Sequence, residues 1–425
     1  MNQDVTAALV PKLRFPEFRG EDEWKPISLQ EASTPVTERV GERKLTPVSI
    51  SAGIGFVPQA AKFGRDISGK QYQLYTLIRD GDFVFNKGNS LKFPQGCVYQ
   101  LQGWGHVAAP SVFICFRLKK GYSDSFFQQC FEKNQHGKQL RRHITSGARS
   151  NGLLNISKET FFSVEIPAPS LAEQQRIADC LSSLDELIAA QAWKVEALKS
   201  HKKGLMQQLF PREGETQPRL RFPEFQDAGE WVSDSLGNIF DTTSGGTPSR
   251  TESSYWNGNI HWITTSLVDF RVITSAEEFI SAQGLKNSSA KLFPKGTVLM
   301  AMYGQGKTRG QVALLGIEAA TNQACTAILP RKGIDPYFVF ANLAGRYEQI
   351  REMSNSGGQE NLSQGLVREI RFSFPPDAAE QRKVTSCLSS LDALITAETQ
   401  KLEALKSHKN GLMQQLFPAA KEMEA

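Results

Sequence analysis

CLSSLDELIAAQAWKVEALKSHKKGLMQQLFP runs from Cys180 to Pro211, and CLSSLDALITAETQKLEALKSHKNGLMQQLFP runs from Cys387 to Pro418, identical at 25 of 32 positions. The two stretches lie 207 residues apart. LRFPEF at Leu13–Phe18 and Leu220–Phe225 has the same offset, as do Glu23-Trp24 and Glu230-Trp231, and Leu29 and Leu236. Between these matching stretches lie two segments of equal length and almost unrelated sequence. This is a duplication whose insides have diverged, and two copies at so long a period exclude a solenoid.

Each repeated stretch carries a helical pattern. Apolar residues recur at 4,3,4,3 spacing through Ile177, Leu181, Leu184, Ile188, Val195, Leu198, Leu205 and Leu209, and through the matching positions Val384 to Leu416. A heptad seam of that length favours a coiled coil. Ser170 and Asp377 suit N-caps, with Glu173 and Glu380 three residues on in capping-box position. Pro211 and Pro418 end the helices. Gly204 and Gly411, costing about 1 kcal/mol each, invite a kink or fraying in the last turns. A helix of about 39 residues is a rod of roughly 58 Å, a spacer of fixed length.

The diverged segments read as strand-weighted mixed α/β domains. Short apolar runs such as Phe83–Phe85, Val112–Phe116, Val298–Met302 and Ala324–Leu329 are broken by Gly, Pro, Asn and Ser. Faint echoes imply one shared fold: Asp124–Phe127 and Asp335–Phe338 each open a helix-like stretch, and Asn155-Ile156-Ser157 and Asn361-Leu362-Ser363 each follow it. The expected fold is α+β, with mixed α/β domains over 1–169 and 220–376 and helices over 170–211 and 377–418. Residues 212–219 form a linker and 419–425 a tail. Since the domains sit at corresponding ends of the repeats, a pseudo-twofold requires the helices to be antiparallel. Polar seam residues suggest a register in which Lys202 faces Glu398, Gln191 faces Lys409, Leu198 lies near Leu402 and Val195 near Leu405.

Composition narrows the class. The chain has 425 residues, 22% charged and 40% apolar, with a net charge of +5, an ordinary globular balance compatible with local basic patches for nucleic acid. Six scattered cysteines without a CxxC pair argue for a reducing compartment and against structural zinc. No stretch resembles a signal peptide or a membrane span, so a cytoplasmic location is expected.

Several motifs imitate chemistry. Tyr303-Gly304-Gln305-Gly306-Lys307-Thr308 ends like a P-loop, but Ala301 stands where that motif needs its first glycine. Asp335-Pro336-Tyr337-Phe338 has one proline too few for an adenine methyltransferase motif, and a helix N-cap with Pro at N1 accounts for it. Glu42-Arg43-Lys44 has a nuclease-like form without the upstream Pro-Asp. The six histidines show no metal-ligand spacing. No catalytic constellation survives, so the chain is expected not to be an enzyme.

The two divergent domains, the two near-identical helices opening with EQQR or EQRK and ending in GLMQQLFP, and Gly245-Gly246-Thr247-Pro248-Ser249 followed by Tyr255-Trp256-Asn257-Gly258-Asn259-Ile260 resemble the specificity subunits of type I restriction–modification complexes. The resemblance covers nearly the whole chain and is weakest in the first diverged segment. It implies two target-recognition domains reading the halves of an asymmetric, bipartite, gapped DNA site. It also implies two adenine methyltransferase (modification) subunits and two ATP-dependent translocase/endonuclease (restriction) subunits as partners, which would hold the methyl donor, ATP and Mg, with no cofactor on this chain. A specificity module of a methyltransferase-only or single-chain restriction system would look the same. A coiled-coil adaptor that never touches DNA is the alternative of another class, separable by whether duplex binding weakens steeply with salt.

Polar, Gly-rich and basic loops are the candidate DNA contacts. In the first domain they are Asn86, Lys87, Asn89 and Ser90, then Lys138, Arg141, Arg142 and Arg149, with His143 beside them. In the second they are Thr247, Ser249, Arg250, Thr264 and Thr265, then Tyr303, Gln305, Lys307 and Arg309, then Asn322, Gln323 and Gln359. Asn, Gln and Arg are suited to bidentate base contacts, whereas Lys and Thr more often hold phosphates.

Overall fold

The computed structural model describes residues 9–51, 53–88, 93–144, 154–212, 214–304, 307–353 and 361–418. The chain forms two units, one of Met1–Ala190 with Leu402–Ala425 and the other of Gln191–Lys401, so each long helix contributes to both. The helices span Leu171–Leu209 and Ala378–Leu416, unbroken through Gly204 and Gly411.

The first unit holds an antiparallel sheet in the order Ser33–Pro35, Ile114–Leu118, Phe83–Asn86, Cys97–Gln100. A second sheet runs Gly55–Pro58, Thr46–Ser51, His106–Ala109, Thr76–Arg79, parallel only at its central pair. The second unit repeats both orders. Its antiparallel sheet is Thr242–Ser244, Cys325–Ile328, Val298–Ala301, Val312–Leu315, extended by a parallel strand Val272–Ile273. Its other sheet is Glu278–Ile280, Trp256–Ile263, Ala319–Thr321, Leu292–Phe293, again parallel only at the centre. Lys25–Ser28 with Glu165–Ala168, and Val232–Ser235 with Arg371–Phe374, close the two domains in the same way. The two diverged segments therefore share one α+β fold.

Both cores are completed by long-helix residues. In the first unit, Phe83, Phe116, Phe126 and Phe161 pack with Ile177 and Leu181 from the start of one helix and Met413, Leu416 and Phe417 from the end of the other. In the second, Phe338, Phe340 and Phe372 pack with Val384 and Leu388 and with Leu209 and Phe210.

The duplicated short motifs fasten each domain to its helix. Arg14 donates from Nε and Nη2 to the two Glu173 carboxylate oxygens at 2.9 and 2.7 Å, and Arg221 does the same to Glu380 at 2.8 Å for both bonds. Both pairs are buried. The remaining donors of each arginine hold its own loop, at Glu21 and Asp22 in one copy and Ala228 and Gly229 in the other. This corrects the capping-box expectation. Ser170 and Asp377 do accept first-turn N–H groups, but the glutamates are committed to arginines instead. Gln174 and Gln381, one residue on, accept the Ser123 and Asp335 N–H groups at 2.9 and 3.0 Å and so tie down the start of a domain helix. Asp335 is the N-cap of Pro336–Gly345, as the sequence suggests.

The helix pairing is antiparallel within each unit, but its register differs from the expectation by about one heptad. In the second unit Gln191 donates to the Glu398 carboxylate at 2.7 Å, and Lys202 donates to Asp392 at 2.5 Å rather than to Glu398. In the first, Lys409 donates to Asp185 at 2.7 Å rather than meeting Gln191. Asp185 and Asp392 follow Leu184 and Leu391 at the edge of the seam, where each receives a lysine that would otherwise be buried without a partner. Tyr337 also donates to Asp392, and burial followed by that bond pushes its phenol far above the usual range.

Candidate nucleic-acid interface

In the second domain, the turn Thr321–Ala324 between two strands collects the predicted loops. The Gly246 N–H donates to the Thr321 carbonyl at 2.8 Å, Asn322 N–H to Ile263 at 3.3 Å, and Met302 N–H to Ala324 at 2.8 Å. These bonds bring Thr247, Thr264, Tyr303, Asn322 and Gln323 to one end of the two sheets. The Thr247 hydroxyl donates to Gln323 Oε1 at 2.5 Å, and Thr264 pairs with Ser266. Gln323, Tyr303 and Lys307 are exposed; Thr264, Thr265 and Asn322 are half-buried. The Gly245-Gly246 pair is a packing requirement, since a Cβ on Gly245 would lie 2.1 Å from the Thr321 carbonyl oxygen.

Other predicted residues are engaged elsewhere. Arg250 pairs with Glu278 and stacks on Trp256, and Ser249 bonds Thr251. Arg309 is buried, which takes it out of the exposed set. Gln305 and Gln359, like Asn89, Ser90 and Arg149 of the first domain, lie outside the described residues. Among the described residues the P-loop imitation is followed by a strand and not a helix: Val298–Ala301 pairs antiparallel with Val312–Leu315, and Tyr347 donates to the Lys307 carbonyl.

The first domain repeats the arrangement with different chemistry. The Leu154 N–H donates to the Lys87 carbonyl at 2.9 Å, just as Leu362 N–H donates to Met302 at 3.0 Å in the second domain. Here a groove of about 580 Å³ is lined by Lys87, Ser111, His143, Asn155, Lys158 and Thr160. Asn86 accepts the Gly88 N–H, and the Lys87 ammonium donates to the Ile156 carbonyl at 2.6 Å, so part of its capacity serves the fold. Lys138, Arg141, Arg142 and His143 stand exposed along consecutive short helices, Gln135–Leu140 and Arg141–His143. Ser111, Asn155 and Lys158 line this groove although they are not among the sequence candidates; the repeated Asn155 and Asn361 mark the segment in both domains.

A family profile described as the type I restriction modification DNA specificity domain matches residues 105–200 and 228–407, more than half of the chain. The chain belongs to that family. Among its relatives, the EcoR124I/EcoR124II specificity subunit of Escherichia coli is 26% identical over 258 residues, covering 58% of this chain and 60% of that one. The MjaIX specificity subunit of Methanocaldococcus jannaschii is 27% identical over 183 residues, covering 42% of this chain and 41% of its own. These matches thus span less than two thirds of either relative. A solved type I restriction-modification S subunit from M. genitalium superposes with a TM-score of 0.59 at 17% identity, over 97% of this chain and all of that one, and supports the fold of this specificity-family chain.

Proposed function

We propose that this chain is the DNA-sequence-specificity subunit of a type I restriction–modification complex, each domain reading one half of an asymmetric, bipartite, gapped site. The observation that carries this reading is one strand order built twice, with chemically unlike side chains at the same end of both sheets. A single fold presenting two unlike readers suits a target with two unlike halves. Adenine N6 methylation and cleavage then belong to two modification and two restriction subunits, which hold the methyl donor, ATP and Mg, and the assembly works in the cytoplasm. In this reading the paired helices set the gap. Lys and Arg around the first groove supply phosphate contacts, so binding falls steeply with salt.

The test is methylation mapping in a host carrying the intact system, repeated after Ala32–Pro167 is replaced by the matching segment of a relative. One half-site should change completely while the other half-site and the gap stay fixed. A change in both halves, or no sequence-specific methylation from the unaltered chain, overturns the reading.

A further inference from the structure

The loop that carries Thr247 is held from above by two tryptophans. The Trp256 indole N–H donates to the Ser249 carbonyl at 2.9 Å, and the buried Trp262 indole N–H donates to the Gly246 carbonyl at 3.1 Å. The two rings meet edge to face, with centroids 5.1 Å apart. The Arg250 guanidinium lies 3.7 Å from the Trp256 centroid and 4.9 Å from that of Trp262, and its Nη1 pairs with the Glu278 carboxylate at 2.5 Å. A bulge supports this geometry: Ile280 pairs with both Trp256 and Ile260, Asn257 takes a φ of 59°, and a Cβ on Gly258 would sit 2.4 Å from the Ile280 carbonyl oxygen. The Tyr255–Ile260 motif is thereby explained as the frame of a clamp.

The clamp has a target. Among the described residues the exposed Gln323 is bonded through Oε1 by Thr247, which leaves both Nε2 donors and one Oε1 lone pair, the set that pairs bidentately with an adenine edge. We infer that Arg250, Trp256, Trp262 and Glu278 form a positioning device, and that Gln323, oriented through Thr247, is the specificity-determining side chain it serves. Arg250 then acts on the loop and not on a phosphate, because its face is covered by indole and its charge is met by Glu278. This rests on the DNA-reading function proposed above.

The experiment uses the full chain with its modification subunits, selecting bound sequences from a randomised duplex library. Gln323→Ala should lose discrimination at one or two base pairs of a single half-site, by about tenfold at each. Arg250→Lys and Trp262→Phe, which keep charge and ring, should weaken the same positions while leaving the other half-site intact. The salt slope of Arg250→Ala should match that of the unaltered chain, whereas an arginine on a phosphate would lower it by about 0.9. Unchanged discrimination in Gln323→Ala, a reduced slope in Arg250→Ala, or equal losses in both half-sites for the conservative variants would overturn the inference. If the unaltered chain enriches no sequence, the DNA-reading proposal itself fails.

Discussion

The loops that follow matching edge strands are held differently in the two domains. After Thr242–Ser244 the chain is clamped by two indoles and a stacked arginine. After Ser33–Pro35 it is laid along Thr76–Arg79 by backbone hydrogen bonds, Leu77 N–H to the Glu38 carbonyl at 2.8 Å and Val40 N–H to Tyr75 at 2.9 Å. The sheets keep one strand order under both solutions. The fold is thus carried by buried strands and by the arginine–glutamate pairs at the helix starts, which frees the loops to diverge.

If that division of labour is right, the largest effects come from what the domains share. Arg14→Ala and Arg221→Ala each strand a buried glutamate, at a cost of about 3–5 kcal/mol. Urea unfolding should show losses of similar size for the two variants. A large loss for one and a negligible loss for the other would break the equivalence of the domains.

A second effect should separate them. Burial among Phe85 and Phe131 pushes the His136 imidazole from its ordinary 6.5 down to about 4. The folded state therefore binds fewer protons than the unfolded one. The stability this gives is fully present above pH 6.5 and is lost as pH falls toward 4. The loss amounts to about 3 kcal/mol, since each pKa unit is worth about 1.4. No histidine of the second domain is buried among its described residues. Hydrogen exchange between pH 7 and 4 should show the first domain opening first, and His136→Leu should remove that difference. Simultaneous opening in both would refute it.

What could be read from the sequence was local or repeated. The heptad seam, the duplication and the strand-weighted interior depend on side-chain period and on comparing the chain with itself. The partner of Glu173 did not, because Arg14 lies 159 residues away and the capping-box pattern offers a nearer answer. Arg250 and Arg309 looked alike as cationic loop residues, yet one is stacked on Trp256 and the other is buried, and composition does not distinguish them. Ser111 was passed over because it adjoins an apolar strand. Its place in the groove comes from the turn bringing it to Lys87.

The smallest expected effect tests the helix register, where the sequence misled for a physical reason. Pairing Lys202 with Glu398 matched charges among seam positions alone. It ignored Asp392, one residue outside the seam, which the flexible lysine reaches. It also ignored the repeat: Gln191 and Glu398 are equivalent positions and bond to each other, while Lys202–Asp392 and Lys409–Asp185 are the same contact made once in each unit. A register that satisfies both copies at once leaves neither seam lysine, Lys202 or Lys409, without a carboxylate. Double-mutant cycles discriminate the two registers directly. Lys202→Met with Asp392→Asn should show a coupling of about 1 kcal/mol, in the range for partly exposed charged pairs. Lys202→Met with Glu398→Gln should show a coupling near zero. Lys409→Met with Asp185→Asn should match the first cycle, because the contact is equivalent. Coupling between Lys202 and Glu398 in place of Asp392 would restore the seam-only register and remove the reciprocity between the units.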